Sequence, residues 1–265
     1  MHITRDGHIH TPFCPHGSTD SFHAYIERAL KEELETITFT EHAPLPEGFT
    51  DPVPDKDSAM AAVDLEQYIE TINELKKEYR SDITILTGLE IDYIKGFDAS
   101  TKAMMNEIGP YLDDSILSVH FLHAADSWFC IDYSAGMFAA FVEAADSLEN
   151  AVNLYYDTVL HSIESDLGPY KPRRLGHMTL IKKFQKKFPS INTASYTGEV
   201  LDAVRRCDMT LDFNGAGFAK TWCREPYPDL NTAREASKRG IPLIYGSDAH
   251  QALDMMQGAE TITAL

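Results

Sequence analysis

Asp6-Gly7-His8-Ile9-His10-Thr11-Pro12-Phe13-Cys14-Pro15-His16-Gly17 is the stretch from which the rest of the chain can be read. If it is a strand running into a turn, the period of two puts the imidazoles of His8 and His10 on one face. Pro12, Pro15 and Gly17 bracket a turn that can fold His16 back towards them. Neutral imidazole is the commonest side-chain metal ligand, so three of them this close point to a divalent metal site. A His-x-His pair by itself also fits an ordinary strand end. The spacing, interleaved with turn residues, is unlike an affinity tag. The signal gains weight only if other strands also end in ligand-type residues.

Six more runs do so. Thr36-Ile37-Thr38-Phe39-Thr40-Glu41-His42 is the second apolar or β-branched run, and Ile83-Thr84-Ile85-Leu86-Thr87-Gly88-Leu89-Glu90 the third. Ser115-Ile116-Leu117-Ser118-Val119-His120, Arg174-Leu175-Gly176-His177 and Met209-Thr210-Leu211-Asp212-Phe213-Asn214 follow. The last is Pro242-Leu243-Ile244-Tyr245-Gly246-Ser247-Asp248-Ala249-His250. Helical periodicity separates most of them: Phe22, Tyr25, Ile26, Ala29 and Leu30 share a face, as do Leu65, Tyr68, Ile69, Ile72 and Leu75. Further helices are predicted over 101–108, 138–163 (one long helix), 179–188, 196–207 and 231–239. Alternating apolar strands and helices imply a parallel sheet buried on both faces. Seven units predict an α/β, TIM-like parallel (β/α)7 barrel, one strand short of the usual eight, with function gathered at the loops after the strands. An open doubly wound sheet would instead spread those strand ends along a line. Residues 1–265 read as one domain. The irregular insertion from Ala43 to Met60, with Pro44, Pro46, Pro52 and Pro54, follows His42 and is predicted to lie over the site.

Composition bounds the function. The 43% hydrophobic and 24% charged content is that of an ordinary globular chain. No run is long and apolar enough to span a bilayer, and the N-terminus lacks a secretory pattern. The four cysteines, Cys14, Cys130, Cys207 and Cys223, are dispersed, which argues against a disulfide framework and for a cytoplasmic setting. A formal charge of -18 argues against nucleic-acid binding. The expected partner is a small molecule, with no nucleic acid and no membrane; oligomeric state is not readable. The strand-end set His8, His10, His16, His42, Glu90, His120, His177, Asp248 and His250 is rich in N and O donors, suiting zinc, manganese or iron.

Asp6-Gly7-His8-Ile9-His10-Thr11, Thr40-Glu41-His42, Gly88-Leu89-Glu90, Ser118-Val119-His120, Leu175-Gly176-His177 and Gly246-Ser247-Asp248-Ala249-His250 run nearly end to end. In these pieces, and in their order, the chain resembles the polymerase-and-histidinol-phosphatase (PHP) superfamily of metal-dependent phosphoesterases. Cys14-Pro15-His16-Gly17, Gly88-Leu89-Glu90-Ile91-Asp92-Tyr93, and Asn214 and Gly217 with Tyr227-Pro228 resemble its histidinol-phosphatase branch. The resemblance implies a distorted seven-stranded barrel holding three divalent ions. One ion would take His8, His10, Glu90 and Asp248; a second would share Glu90 and add His120 and His177; a third would take His16, His42 and His250. It implies hydrolysis of L-histidinol phosphate, a step of histidine biosynthesis. Glu90, Asp248 and His250 would be catalytic, the proton for the leaving alkoxide coming from Asp248, His250 or water.

For the substrate, Lys220, Arg224 and Asn214 are predicted on the loop after the sixth strand, which supplies no metal ligand. Guanidinium and ammonium groups there suit a phosphate. Arg173 and Arg174 stand next in line. Cys14 is predicted to pack rather than ligate, and Lys182-Lys183 and Lys186-Lys187 to form a solvated helix face. Two other functions use the same residues: a nucleotide or nucleic-acid-end phosphoesterase, against which the charge counts, and a non-catalytic metal-binding protein.

Overall fold

The computed structural model describes residues 2–263. In chain order its strands are β1 (Arg5–Ile9), β2 (Thr36–His42), β3 (Thr84–Asp92), β4 (Ile116–Ser118), β5 (Phe121–Ala124), β6 (Ser127–Cys130), β7 (Arg174–Leu175), β8 (Thr210–Asn214) and β9 (Leu243–Gly246). Seven of them form one parallel sheet in the order β1-β2-β3-β4-β7-β8-β9, and β5 and β6 pair as a separate antiparallel hairpin. A parallel bridge between Ile9 and Ala249 brings the two ends of the large sheet together. There Asp248 N donates to the His8 carbonyl at 2.7 Å and His10 N to the Ala249 carbonyl at 2.9 Å. The result is the nearly closed seven-stranded TIM-like barrel that the strand count predicts.

Both faces of the strands are buried, as a parallel sheet under helices requires. On β2, Ile37 and Phe39 alternate with Thr38 and Thr40, and none of the four is exposed. Around the outside run α1 (Phe22–Lys31), α2 (Leu65–Glu78), α3 (Asp98–Ile108), α4 (Ala135–Ala144), α5 (Leu148–Glu164), α6 (Ala194–Arg206), α7 (Leu230–Lys238) and the short α8 (Ala259–Thr263). Helix α1 shows how such a segment is specified. The Ser21 hydroxyl accepts from Ala24 N at the start, Arg28 and Lys31 stand in the last turn, and Phe22, Tyr25, Ile26 and Ala29 face inward. Phe22 meets the Phe39 ring edge-on at 5.0 Å, locking helix to sheet.

Register places the functional strand ends side by side. The β2–β3 ladder runs unbroken from Thr36 opposite Thr84 to His42 opposite Glu90. In β1 the register shifts between Asp6 and Ile9, an irregularity that re-aims His8.

The structure corrects two expectations and adds one element. The single helix predicted over 138–163 is two, α4 and α5. Asp146 takes a positive φ of 66° between them, and Ser147 begins α5 by accepting from Asn150 N. The segment predicted as a helix over 179–188 is a 3-10 turn over Leu180–Phe184. The β5–β6 hairpin was not foreseen. Its turn, Ala125-Asp126, has φ of 44° and 61°, the geometry of a two-residue turn that usually announces itself with Asn or Gly.

The proline-rich insertion has its own order. The Asp51 carboxylate accepts from Val53 N at 2.8 Å and from the Ser58 amide and hydroxyl, each at 3.1 Å. Phe49 is wedged against Phe97 at 5.4 Å and against Phe121 and Trp128, each at 5.1 Å. With Val53, Ile94 and Cys130 these rings form a small apolar cluster separate from the main core. Each such ring contact is worth about 1 kcal/mol beyond area burial. Phe49→Ala should therefore speed proteolysis or amide exchange within residues 43–60 at least tenfold. Melting of the barrel should move by only about 2–4 °C. Unchanged exchange in that loop would show that Phe49 does not anchor it.

Candidate metal centre

Glu90, 1% exposed at the end of β3, is the hub of the site. Its two oxygens face different imidazoles. Oε1 lies 2.9 Å from His177 Nε2 and 3.8 Å from His120 Nε2. Oε2 lies 3.1 Å from His42 Nδ1, 3.4 Å from His8 Nε2 and 3.6 Å from His10 Nε2. Asp248 Oδ1 closes the other side, 3.1 Å from His10 Nε2 and 3.7 Å from His8 Nε2. His250 stacks on His10 with ring centroids 4.0 Å apart. His16 is exposed, but its Nε2 stands 3.2 Å from His250 Nε2 while its Nδ1 donates to the Asp57 carbonyl at 2.7 Å. All nine strand-end residues thus gather in one place.

Three further carboxylates hold the rings, and sequence reasoning gave them no role. His8 Nδ1 is 2.8 Å from Asp212 Oδ2, His120 Nδ1 is 2.7 Å from Asp92 Oδ1, and His10 Nδ1 is 3.2 Å from Glu41 Oε1. A carboxylate only accepts, so each Nδ1 donates and each Nε2 turns inward. Glu41 itself is fixed by Thr11 N at 2.8 Å, the Thr11 hydroxyl at 2.6 Å and His42 N at 2.9 Å. A signal was present: Asp92 is two residues beyond Glu90 on the same strand, hence on the same face.

The donor set fits metal ions. Ligand atoms of His8, His10 and Asp248 lie within 4.8 Å of one another, as do those of Glu90, His120 and His177. So do those of His42, Asp92 and His120, and of His10, Cys14, His42 and His250. His8 Nε2 and His42 Nδ1 are buried without a hydrogen-bond partner, although both face a carboxylate. Buried imidazole nitrogens aimed at a buried carboxylate leave room for a cation between them. Cys14 is buried as predicted, and burial pushes its thiol up.

Charge coupling is strong. Burial raises the Glu90 carboxyl, yet His8, His42 and His120 outweigh it and hold it well below the usual range. Burial followed by the neighbouring His10 drives both His42 and His250 well below an ordinary imidazole. Burial opposes charge on His10 too, but the hydrogen bonds to Asp248 and Glu41 prevail and lift it to about 9.

Around this cluster opens a cleft of about 290 Å³ lined by His16, His42, Glu90, His120, His177, Asp248 and His250 together with Asp132, Lys183 and Lys220. Lys220 is part of that lining. The other two candidate substrate residues lie elsewhere. Asn214 is wholly buried and absent from the cleft lining, donating to Asp212 Oδ2 and Asp248 Oδ2, both at 3.1 Å, and accepting from Ala216 N, so it holds two carboxylates. Arg224 does not line the cleft, and its guanidinium donates to the Phe218 carbonyl at 3.2 Å. Of the lysine-rich segment, Lys186 and Lys187 are exposed as expected, but Lys182 and Lys183 are half-buried. Lys183 lines the cleft and donates to Asp132 at 2.9 Å, while Lys182 pairs with Glu225. The 3-10 turn changes the phase of the segment, which is why helical spacing misplaced Lys183.

The PHP domain family model matches residues 6–216. The histidinol-phosphatase of Bacillus subtilis is 51% identical over 254 residues, covering 95% of each chain. The chain belongs to the PHP family, in its histidinol-phosphatase branch. A solved structure from Listeria monocytogenes, assigned as a histidinol phosphatase, has a TM-score of 0.93 and 38% identity, covering 97% of this chain and 99% of that one. Histidinol phosphate phosphatase of Lactococcus lactis, solved with zinc, L-histidinol and phosphate, has the same fold at a TM-score of 0.74 and 21% identity, covering 98% and 92%. None of the described helices of this PHP chain is long and apolar enough to cross a membrane.

His10, lifted to about 9, is protonated at neutral pH in the metal-free chain. An ion must displace that proton, so metal loading should release protons and apparent affinity should climb as pH rises from 6 to 9. The sign for folding is opposite. Relative to an ordinary imidazole near 6.5, the raised His10 stabilises the metal-free fold below that pH, and the contribution fades as pH rises through 9. Zinc titration calorimetry in buffers of different ionisation enthalpy measures the release; no proton release at pH 7 would refute this account.

Proposed function

We propose that this protein is a metal-dependent phosphomonoesterase that hydrolyses L-histidinol phosphate to L-histidinol and phosphate. The observation that carries the reading is Glu90, buried with each oxygen turned to a separate group of imidazoles, in a chain 51% identical to a histidinol-phosphatase. We assign three divalent ions. His8, His10, Glu90 and Asp248 would hold one, Glu90, His120 and His177 the second, and His16, His42 and His250 the third. Divalent ions in such a site supply Lewis acidity, polarising phosphoryl oxygens and acidifying water.

The chain's own side chains do the rest. Lys183 and Lys220 reach the cleft and receive the phosphate, where a cation gains most as charge shifts on the phosphoryl oxygens. Burial opposes charge on Lys183, but Asp132 more than offsets it and keeps the ammonium protonated. Asp248 and His250, with side chains 18% and 27% exposed, border the cleft, where solvent water can reach and supply the proton to the leaving alkoxide. Beside the cleft, a recess of about 250 Å³ is lined by Val53, Asp57, Phe121, Asp132 and Tyr133, sharing His16, His42 and His120 as its inner wall. Its rings and carboxylates suit an imidazole and an ammonium, so it receives the organic half of the substrate.

The decisive experiment is phosphate release from L-histidinol phosphate, an aryl phosphate and a short oligonucleotide, with zinc, manganese or iron. Preference for the first by at least tenfold in kcat/KM is expected. Equal or better turnover of the oligonucleotide would reassign the substrate, and no turnover of any would make the site a metal store. Glu90→Gln should abolish turnover and lower the metal content, because an amide cannot supply charge to two cations. Lys183→Ala should cost about tenfold or more in kcat/KM at unchanged metal content, and Arg224→Ala less than about twofold. Elemental analysis should find more than one ion per chain; a maximum of one would end the trinuclear assignment.

A further inference from the structure

Arg174 is among the largest wholly buried side chains of the molecule, 2% exposed. It projects from β7 across the barrel interior: a Cβ on Gly7 of β1 would collide with its Nη1, although β1 and β7 are not neighbours in the sheet. Glycine at position 7 is what makes room for the guanidinium. Nη2 donates to Asp114 Oδ2 at 2.6 Å, a carboxylate that Arg5 also engages. Nη1 points to Asp212 Oδ1 at 4.0 Å. Neither Nη1 nor Oδ1 has a hydrogen-bond partner, and both are buried. The other oxygen of Asp212 is the one on His8 Nδ1 at 2.8 Å. Gly246 completes the arrangement, since a Cβ there would strike Asp212 Oδ1 and the His8 Cβ. A buried cation, a buried carboxylate and a candidate ligand therefore stand in line from the barrel interior to the metal centre.

We propose that Arg174 is a positioning residue for the metal centre, acting through Asp212 on His8. The guanidinium fixes the carboxylate from behind. The carboxylate then accepts from His8 Nδ1 and holds the ring with Nε2 turned towards Glu90 and Asp248. An outer-shell partner of this kind orients the ligand without touching the ion, and its loss costs about 10- to 100-fold in metal affinity. A fixed fork of donors suits the role, and lysine would supply the charge without the shape. The inference rests on reading His8 as a ligand; its test uses metal binding, not turnover, so it can fail while the phosphatase reading stands.

Arg174→Met, Arg174→Lys, Asp212→Asn and the Arg174→Met/Asp212→Asn double variant would be stripped of metal. Each would be titrated with zinc against a competing chelator, with the thermal melt of the metal-free chain recorded in parallel. The expected result for Arg174→Met is a fall of about 10- to 100-fold in affinity for one ion, the others being retained. Arg174→Lys should recover part of the loss. In the Asp212→Asn background, Arg174→Met should cost less than about twofold more, because its path to His8 is already cut. A purely structural Arg174 would instead lower the metal-free melt while leaving chelator competition within twofold of wild type, and full additivity in the double variant would mean it does not act through Asp212; either result overturns the proposal. If Arg174→Met does not fold, Arg174→Lys decides it: a threefold or larger loss supports the role, and wild-type affinity refutes it.

Discussion

A carboxylate that is 1% exposed and surrounded by imidazoles is the constraint from which the rest follows. Burying Glu90 as an anion is expensive unless positive charge or hydrogen bonds meet both oxygens. The fold meets that demand with five imidazoles from the ends of four separate strands, plus a hydroxyl from Ser118 at 2.6 Å. Only a sheet curled back on itself can bring that many strand ends around one point. The bridge from Ile9 to Ala249 is thus as much a part of the site as any ligand, because it sets His8 and His10 beside Asp248.

Around the hub, polar groups are spent on orientation. Asp212, Asp92 and Glu41 each hold an Nδ1, and Asn214 ties Asp212 to Asp248. An imidazole rotates freely about its χ2 bond, so a ligand ring without such a partner would lose entropy on every binding event. Here that ordering is done when the chain folds.

The strands and their terminal His, Asp and Glu residues were legible because two signals agree. Buried parallel strands appear as short β-branched runs, and polar groups at their ends have nowhere to sit but the open rim of a barrel. What escaped was set by geometry that periodicity does not encode. The break between α4 and α5 depends on Asp146 taking a left-handed φ that its identity only weakly suggests. The hairpin turns on Ala125 and Asp126 without a glycine. Lys183 was assigned to solvent on helical phase, and the 3-10 turn moved it to the cleft. Asn214 was placed correctly at a strand end, but its neighbours there are two carboxylates rather than open space.

The two apolar clusters divide the molecule in a way that bears on how such a chain can change. The main core fastens strands to helices and so holds the cluster of imidazoles and carboxylates; the small cluster of Phe49, Val53, Ile94, Phe121 and Trp128 fastens the insertion to the hairpin and so shapes the recess. Because the second cluster is small and stands apart from the main core, substitutions of Phe49, Val53 or Trp128 can reshape the outer wall of the recess while the strand ends behind it keep their support. On the proposed reading, in which the recess takes the organic half of the substrate, selectivity and chemistry become separate traits, open to separate inheritance: a lineage could trade one cargo for another by editing loop and ribbon, with most of the barrel carried forward unaltered.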